Sequence, residues 1–376
     1  MKKYFLVMAM FIVAVSIFIG CSKSSGDSEP NPPVAGFDKS VMLQNYADNL
    51  IIPGYTALQQ KLTAFQTSAD AFLTTPSVSL QDQVKSSYKE LYLQYERVAA
   101  FQFGPAETEL LDIFLNFSGG LDYNFNTAGE LTGFSVDSVN IEKYILSGVY
   151  NLTTMNRASF YSQGFPAIGY LFFGPNAIAK FSSNTAARVK YTKDVIARMK
   201  SLVDKVAAAW PTYRTDFVNN TKTNVGSPIG NIVNQLAYQM DLMKGPRIGW
   251  PFGKQSNGTV FASKTESYFT GISAQLAAEN ITALKNTYRG GGNGKGISDY
   301  LVSLNKTTLN NDILAQFDMV INKLKLIPDP LSTALSAQPD LVESAYKEIQ
   351  KLLTLLKTDL ASATAVQISY MDNDGD

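Results

Sequence analysis

Apolar residues recur at three- and four-residue steps through most of the chain beyond position 40, the spacing of helices that each bury one stripe. From Val41 to Leu73 the stripe runs Leu43, Tyr46, Ala47, Leu50, then Tyr55, Leu58, Leu62, Phe65, Ala69 and Phe72. Pro53 interrupts it and predicts a kink or a helix restart. A second amphipathic helix is predicted over Asp82–Phe103, with Val84, Tyr88, Leu91, Tyr95, Val98 and Phe101 on one face. Further helical stretches cover Ala186–Trp210, Ile229–Met243, Ser267–Tyr288, Thr308–Leu326 and Asp340–Leu360. Gly-Pro pairs at 104–105, 174–175 and 245–246 each follow an apolar run, as expected where glycine ends a helix and proline prevents its continuation. Residues 116–140 are rich in Gly, Asn, Ser and Thr and predict an irregular excursion or a small hairpin. Strand–helix alternation is missing from the pattern, which sets aside doubly wound and barrel folds. The expected fold is all-α, two packed helical bundles over residues 39–200 and 201–370.

The segment 164–175 breaks the amphipathic rule. It reads Gly-Phe-Pro-Ala-Ile-Gly-Tyr-Leu-Phe-Phe-Gly-Pro. A helix apolar on every face must be covered on every face, so it is expected at the centre of the molecule. Pro166 suits its first turn and Gly174 its end.

The N-terminus carries a different message. Lys2 and Lys3 precede a nearly unbroken apolar run from Tyr4 to Ile19, and Gly20-Cys21 follows. A basic start, a short apolar core and a small residue at the cut make residues 1–20 a secretory signal. The run is shorter than the ~20 residues of a membrane-spanning helix. Phe18-Ile19-Gly20-Cys21 resembles a bacterial lipobox, with Phe18 in place of the usual leucine. That resemblance implies cleavage before Cys21 and its acylation, giving an anchored lipoprotein of the cell envelope and outer membrane. An ordinary signal would instead leave an unpaired thiol in an oxidising compartment. Residues 21–38 then form a Ser/Gly/Pro-rich tether, and residues 371–376 an acidic tail. The tail Asp372-Asn-Asp-Gly-Asp376 is too short for a calcium loop.

Composition narrows the chemistry. The chain has 376 residues, no histidine and one cysteine. Imidazole-based triads, Cys-His pairs and His-ligated zinc are therefore impossible. Basic and acidic residues balance at 32 each, and the signal takes Lys2 and Lys3 with it, so nucleic acid is not an expected partner. The glycines of Arg289-Gly-Gly-Gly-Asn-Gly lack the ending of a phosphate cradle and read as a loop. Asp137-Ser138-Val139 fits a short bacterial O-glycosylation pattern, and Asn116-Phe-Ser118 is a sequon, the latter expected to be unmodified.

The apolar segment and several blocks around it resemble the imelysin family of bacterial envelope proteins. Gly164 matches that family's Gly-x-His-x-x-Glu signature, while Pro166 stands at the histidine position and Gly169 at the glutamate position. Asp48-Asn-Leu-Ile-Ile-Pro-Gly-Tyr55, Glu96–Pro105, Asn234, Arg247-Ile-Gly-Trp-Pro251, Glu266-Ser-Tyr-Phe-Thr-Gly-Ile-Ser273, Asn280…Tyr288-Arg-Gly and the ending from Tyr370 follow in family order. The resemblance implies two helical bundles with a site between them near the signature. It also implies metallopeptidase chemistry and a link to iron uptake. Proline and glycine supply no donor, so neither a metal nor a cofactor is expected here. The expected binding residues are Gly164, Pro166, Gly169, Tyr170, Glu96, Arg247 and Ser267. Three classes stay open: a non-catalytic protein binding a small ligand or an uptake-system partner, a divergent peptidase using carboxylates alone, and a surface scaffold.

Overall fold

The computed structural model describes residues 36–117, 124–125, 131–132, 136–183, 185–292 and 294–370. The signal, Cys21, most of the tether and the acidic tail lie outside the described residues. Residues Phe37–Asp376 form one compact unit. The longer helices are α1 (Lys39–Asn45), α2 (Ile52–Thr74), α3 (Val78–Val98), α4 (Ser138–Ser147), α5 (Gly164–Phe173), α6 (Ala177–Ser183), α7 (Thr185–Asn219), α8 (Pro228–Leu242), α9 (Ser273–Arg289), α10 (Thr307–Lys325) and α11 (Pro339–Thr354). The expected excursion holds an antiparallel hairpin of two-residue strands, β1 (Asn124–Phe125) and β2 (Leu131–Thr132), with Asn124 opposite Thr132. No described helix is long and apolar enough to cross a membrane.

The stripes read from the sequence are the ones that are covered. Every apolar position named above on α2 and α3 is buried. Helix α2 packs on α3 and α7; α9 packs on α10, and α10 on α11. Helix α3 also packs on α9, joining the two sets of helices. The expected division at residue 200 falls inside α7.

Proline acts differently at two places. Pro53 sits in the first turn of α2, directly after a π-helical turn over Tyr46–Ile51, so the chain runs from α1 into α2 without a break. Gly245-Pro246 does not end α8. It lies within a second π-helical turn, Met243–Gly249, closed by Trp250 N–H donating to the Gly245 carbonyl at 2.9 Å. The wide turn accommodates a residue without an N–H and carries the helix on to Gly249.

Helix α5 is central, as its composition requires. Gly164, Phe165, Ala167–Phe172 are all buried. Gly164 has φ +68°, and a Cβ there would stand 2.2 Å from the Leu115 carbonyl oxygen. Only glycine fits both the left-handed backbone and that approach.

Candidate functional site

Three aromatic residues of α3 grip the start of α5. Tyr88, Tyr92 and Tyr95 follow one another at helical spacing and so share a face. The Tyr92 ring stacks on Phe165 with centroids 4.0 Å apart, and Tyr95 tilts against the same ring at 5.2 Å. Tyr88 O–H donates to the Phe165 carbonyl at 3.0 Å. One turn beyond Tyr92 on the same helix stands Glu96, fully buried.

Between α3, α5 and the segment 263–269 lies a cavity of about 200 Å³. Tyr88 and Tyr92 form one wall, Pro166 and Gly169 another, and Glu266–Phe269 a third; Asn116, Phe117 and Ser138 complete it. Segment 263–269 is shaped by Ser267, which adopts φ +52°, an uncommon conformation for a residue with a side chain. The Ser267 and Thr270 hydroxyls bond one another, and the Ser273 hydroxyl bonds the Glu266 carbonyl. Asp329 anchors the adjoining start of α9, accepting from the Ala274 and Gln275 N–H groups at 2.8 and 3.1 Å. Such anchors hold a strained residue in place at a site that needs it.

Behind the cavity wall is a buried polar chain. Glu266 Oε1 accepts from Asn116 Nδ2 at 3.0 Å and lies 2.9 Å from the Tyr92 hydroxyl, whose proton is shared with Asn116 Oδ1 at 2.6 Å. Arg247 Nε faces Glu266 Oε2 at 3.7 Å, and its Nη1 donates to Glu96 Oε2 at 2.8 Å. Asn280 of α9 donates to the same Glu96 oxygen at 2.8 Å, and Gln239 of α8 ties the Ala99 carbonyl to the cluster. The π-helical turn after α8 is what aims Arg247 inward.

Two carboxylates thus share one guanidinium away from water. Burial pushes the Glu96 carboxyl up to about 7, with Arg247 pulling down and Glu266 pushing up. Burial alone would lower Arg247, but Glu266 and Glu96 together hold it above its ordinary value. Burial also raises the carboxyl of partly buried Asp112, against the pull of its Tyr95 hydrogen bond.

The sequence-derived candidates fall into three layers. Pro166, Gly169 and Ser267 line the cavity. Gly164 stands at the start of α5, where its role is steric. Glu96 and Arg247 form neither a surface pair nor a cavity wall: they lie behind it, joined to it through Glu266. Tyr170 points away, its hydroxyl 2.5 Å from Glu142 Oε1, although its ring touches cavity-lining Phe269 at 5.5 Å. Sequence reasoning did not single out Tyr88, Tyr92, Asn116 or Glu266 as site residues. Glu266 was signalled by its place directly before Ser267; Asn116 stood out only as a sequon, and its buried amide is committed to Glu266.

The positions aligned with the signature offer no metal ligand. Pro166 has no donor atom, and Gly169 has none beyond the backbone. A Cβ at Gly169 would meet only the Tyr88 hydroxyl, at 3.4 Å, so the space beside it is room in the cavity. Among the described residues no group of three or more His, Cys, Asp or Glu is placed to hold a metal ion. The donor set does not fit a transition metal at this position.

The family model described as Imelysin (Peptidase_M75) matches residues 51–360. The chain belongs to the imelysin family. It is 20% identical over 305 residues to iron-regulated protein A of Synechococcus elongatus, covering 78% of each chain. Two solved structures share the fold. One is a protein described as an iron-regulated protein A precursor from Parabacteroides distasonis, with TM-score 0.69, 18% identity, and 87% of this chain and 95% of that one covered. The other is an imelysin-like protein from Psychrobacter arcticum, with TM-score 0.68, 13% identity and coverage of 89% and 97%. Within this imelysin-family chain, the cavity lies beside the segment that resembles the family signature.

Proposed function

We propose that this chain is a lipid-anchored, non-catalytic binding protein of the bacterial envelope, serving uptake of a small solute. The observation that carries the reading is the cavity itself. It is walled by aromatic side chains and backed by a buried polar chain, and it opens where the family signature would place two donors. Concave, mostly apolar sites with a few placed polar groups hold ligands by shape. Hydrolysis needs a poised base and an activated water. Here Glu266 is already engaged by Asn116 and Tyr92, and Glu96 is sealed behind Arg247. A volume of about 200 Å³ is below that of typical drug-sized sites, which favours a compact solute over a bulky iron chelate. The names of the relatives speak of regulation by iron, and a place in iron or other solute uptake is part of this proposal.

The test has two arms. The purified protein is assayed against a mixed peptide library and analysed for bound metal, and its melting temperature is read across a panel of small solutes. Stabilisation by a solute with no cleavage is the expected result. Peptide cleavage that tracks a stoichiometric metal would replace this reading with a carboxylate-only peptidase. The anchor is tested separately: Cys21→Ser should leave the protein unprocessed or released from membranes, and a normally processed, membrane-bound variant would rule the lipoprotein out.

A further inference from the structure

A charged cluster stands behind the cavity. At its back, Glu266 and Glu96 flank the single guanidinium of Arg247, and all three side chains are at most 3% exposed. Partly buried Asp112 adds a third carboxylate, bonded to Tyr95 on the α3 face that carries Glu96. Four aromatic residues, Tyr88, Tyr92, Phe117 and Phe269, line the cavity. Aromatic faces carry negative potential, and they attract cations most strongly where water is excluded. Lys264 stands among the lining residues and is engaged in an interaction of its own.

A hard metal ion is a poor occupant. It requires six or more oxygen ligands, whereas the wall offers one carboxylate, whose Oε1 is already bonded, among neutral hydroxyl and amide groups. An organic cation needs far less. It needs faces to lie on and a charge of opposite sign behind them.

On the reading of the cavity as a solute site, we propose that its ligand is a small organic cation, an alkylammonium or quaternary ammonium group seated between the aromatic walls and drawn to Glu266. A positive charge arriving beside Glu266 weakens the hold of that carboxylate on Arg247 and strengthens the one Arg247 has on Glu96. The groups facing Glu96 are Arg247 from the extension of α8, Asn280 from α9, Tyr92 and Tyr95 from its own helix, and Glu266 across the cluster, with Gln239 and Asp112 one step further, bonded to Asn280 and Tyr95. Of these, Glu96 is the group that exchanges a proton near neutrality. Cation binding therefore releases part of a proton from Glu96, and affinity rises as pH increases through about 7.

Isothermal titration of the full chain tests this with choline, tetramethylammonium and 3,3-dimethylbutan-1-ol, the uncharged isostere of choline. Choline should bind at least about tenfold more tightly than the isostere. Titrations in phosphate and in HEPES at pH 7 should differ in heat by a fraction of a proton per ligand, and Glu96→Gln should abolish that difference. Glu266→Gln should weaken choline by about tenfold or more, with circular dichroism checking the fold. The comparison between choline and its isostere needs no variant, so it stands even if a variant fails to fold. Equal binding of the two, or no binding of either cation, overturns the inference. If neutral or anionic solutes stabilise the protein while choline does not, the binding function survives and the cation preference falls.

Discussion

Two charged clusters lie near α5, and they are opposites. Behind the cavity, Glu96 and Glu266 share Arg247 out of reach of water. Around Tyr170, one carboxylate, Glu142, meets two cations: Lys180 at 3.0 Å and Arg188, with the Tyr170 hydroxyl bonded to the same carboxylate. The Glu142 side chain is 30% exposed and that of Lys180 35%. The first cluster has an excess of negative charge and almost no exposure; the second has spare positive charge and solvent access. Their titrations run in opposite directions as a result. Burial drives Glu96 up to about 7. For Glu142 the cost of burial is outweighed by the Tyr170 and Lys180 hydrogen bonds and by Arg188, and the carboxyl is held below its ordinary value. Helix proximity alone says nothing of function; charge balance and water access separate a site from a structural clasp.

Removing one cation from each cluster should expose the contrast most strongly. Arg247→Met leaves two buried carboxylates without a cation and is expected to cost about 3–5 kcal/mol in urea unfolding. Lys180→Met leaves Glu142 paired with Arg188 and should cost less than ~1 kcal/mol. Equal losses would mean that the two clusters do not differ in the way their burial implies.

Gly164→Ala tests what both clusters hang on. Left-handed backbone and a carbonyl 2.2 Å from the new Cβ both oppose it. A loss of about 2–4 kcal/mol is expected from strain and overpacking. Because α5 carries both Phe165 and Tyr170, the displacement should reach both clusters, and near-ultraviolet circular dichroism should report disturbed tyrosine packing. Gly169→Ala, with only an ordinary contact at 3.4 Å, should instead be neutral or stabilising by up to ~1 kcal/mol.

The pH dependence sharpens the same contrast. For Glu96 the folded carboxyl titrates at about 7 against an ordinary 4.5. Its contribution to stability is fully present below 4.5 and is lost as pH rises through about 7. The loss is on the order of 3 kcal/mol. Glu96→Gln cannot ionise, so its stability should stay flatter across that window. An unchanged slope in urea midpoints from pH 5 to 8 would show that Glu96 is ionised throughout.

Much of the fold was legible because helical burial has a period, and every stripe residue named on α2 and α3 is covered. The central place of α5 was equally legible, since no amphipathic reading of 164–175 exists. The π-helical turn at Met243–Gly249 was not. One extra residue only shifts the phase of the apolar stripe, too little to read over seven residues, and Gly245-Pro246 read locally as a stop that the surrounding packing overrides. The site was half legible. Pro166, Gly169 and Ser267 sit in blocks with family-like order, but the polar chain behind them joins residues such as Tyr92 and Glu266, 174 positions apart. Neither periodicity nor local spacing encodes that pairing. Tyr170 was expected at the site together with Gly169; one helical step turns its hydroxyl to Glu142 instead.

The smallest expected effect closes the comparison from the exposed side. Glu142 is held below its ordinary 4.5 in the folded state, so its contribution is present above that value and is lost as pH falls through the lower, folded one. Solvent screens the cluster, and the whole contribution should stay under ~1 kcal/mol. Glu142→Gln should therefore lower the urea midpoint slightly at pH 7 and make the acid limb below pH 4.5 shallower. The slope between pH 5 and 8 should remain as in the parent chain, because that interval belongs to Glu96. Should Glu142→Gln flatten the neutral interval instead, the two clusters would be electrostatically linked through α5, and the separation between a sealed site and a solvated clasp would fail.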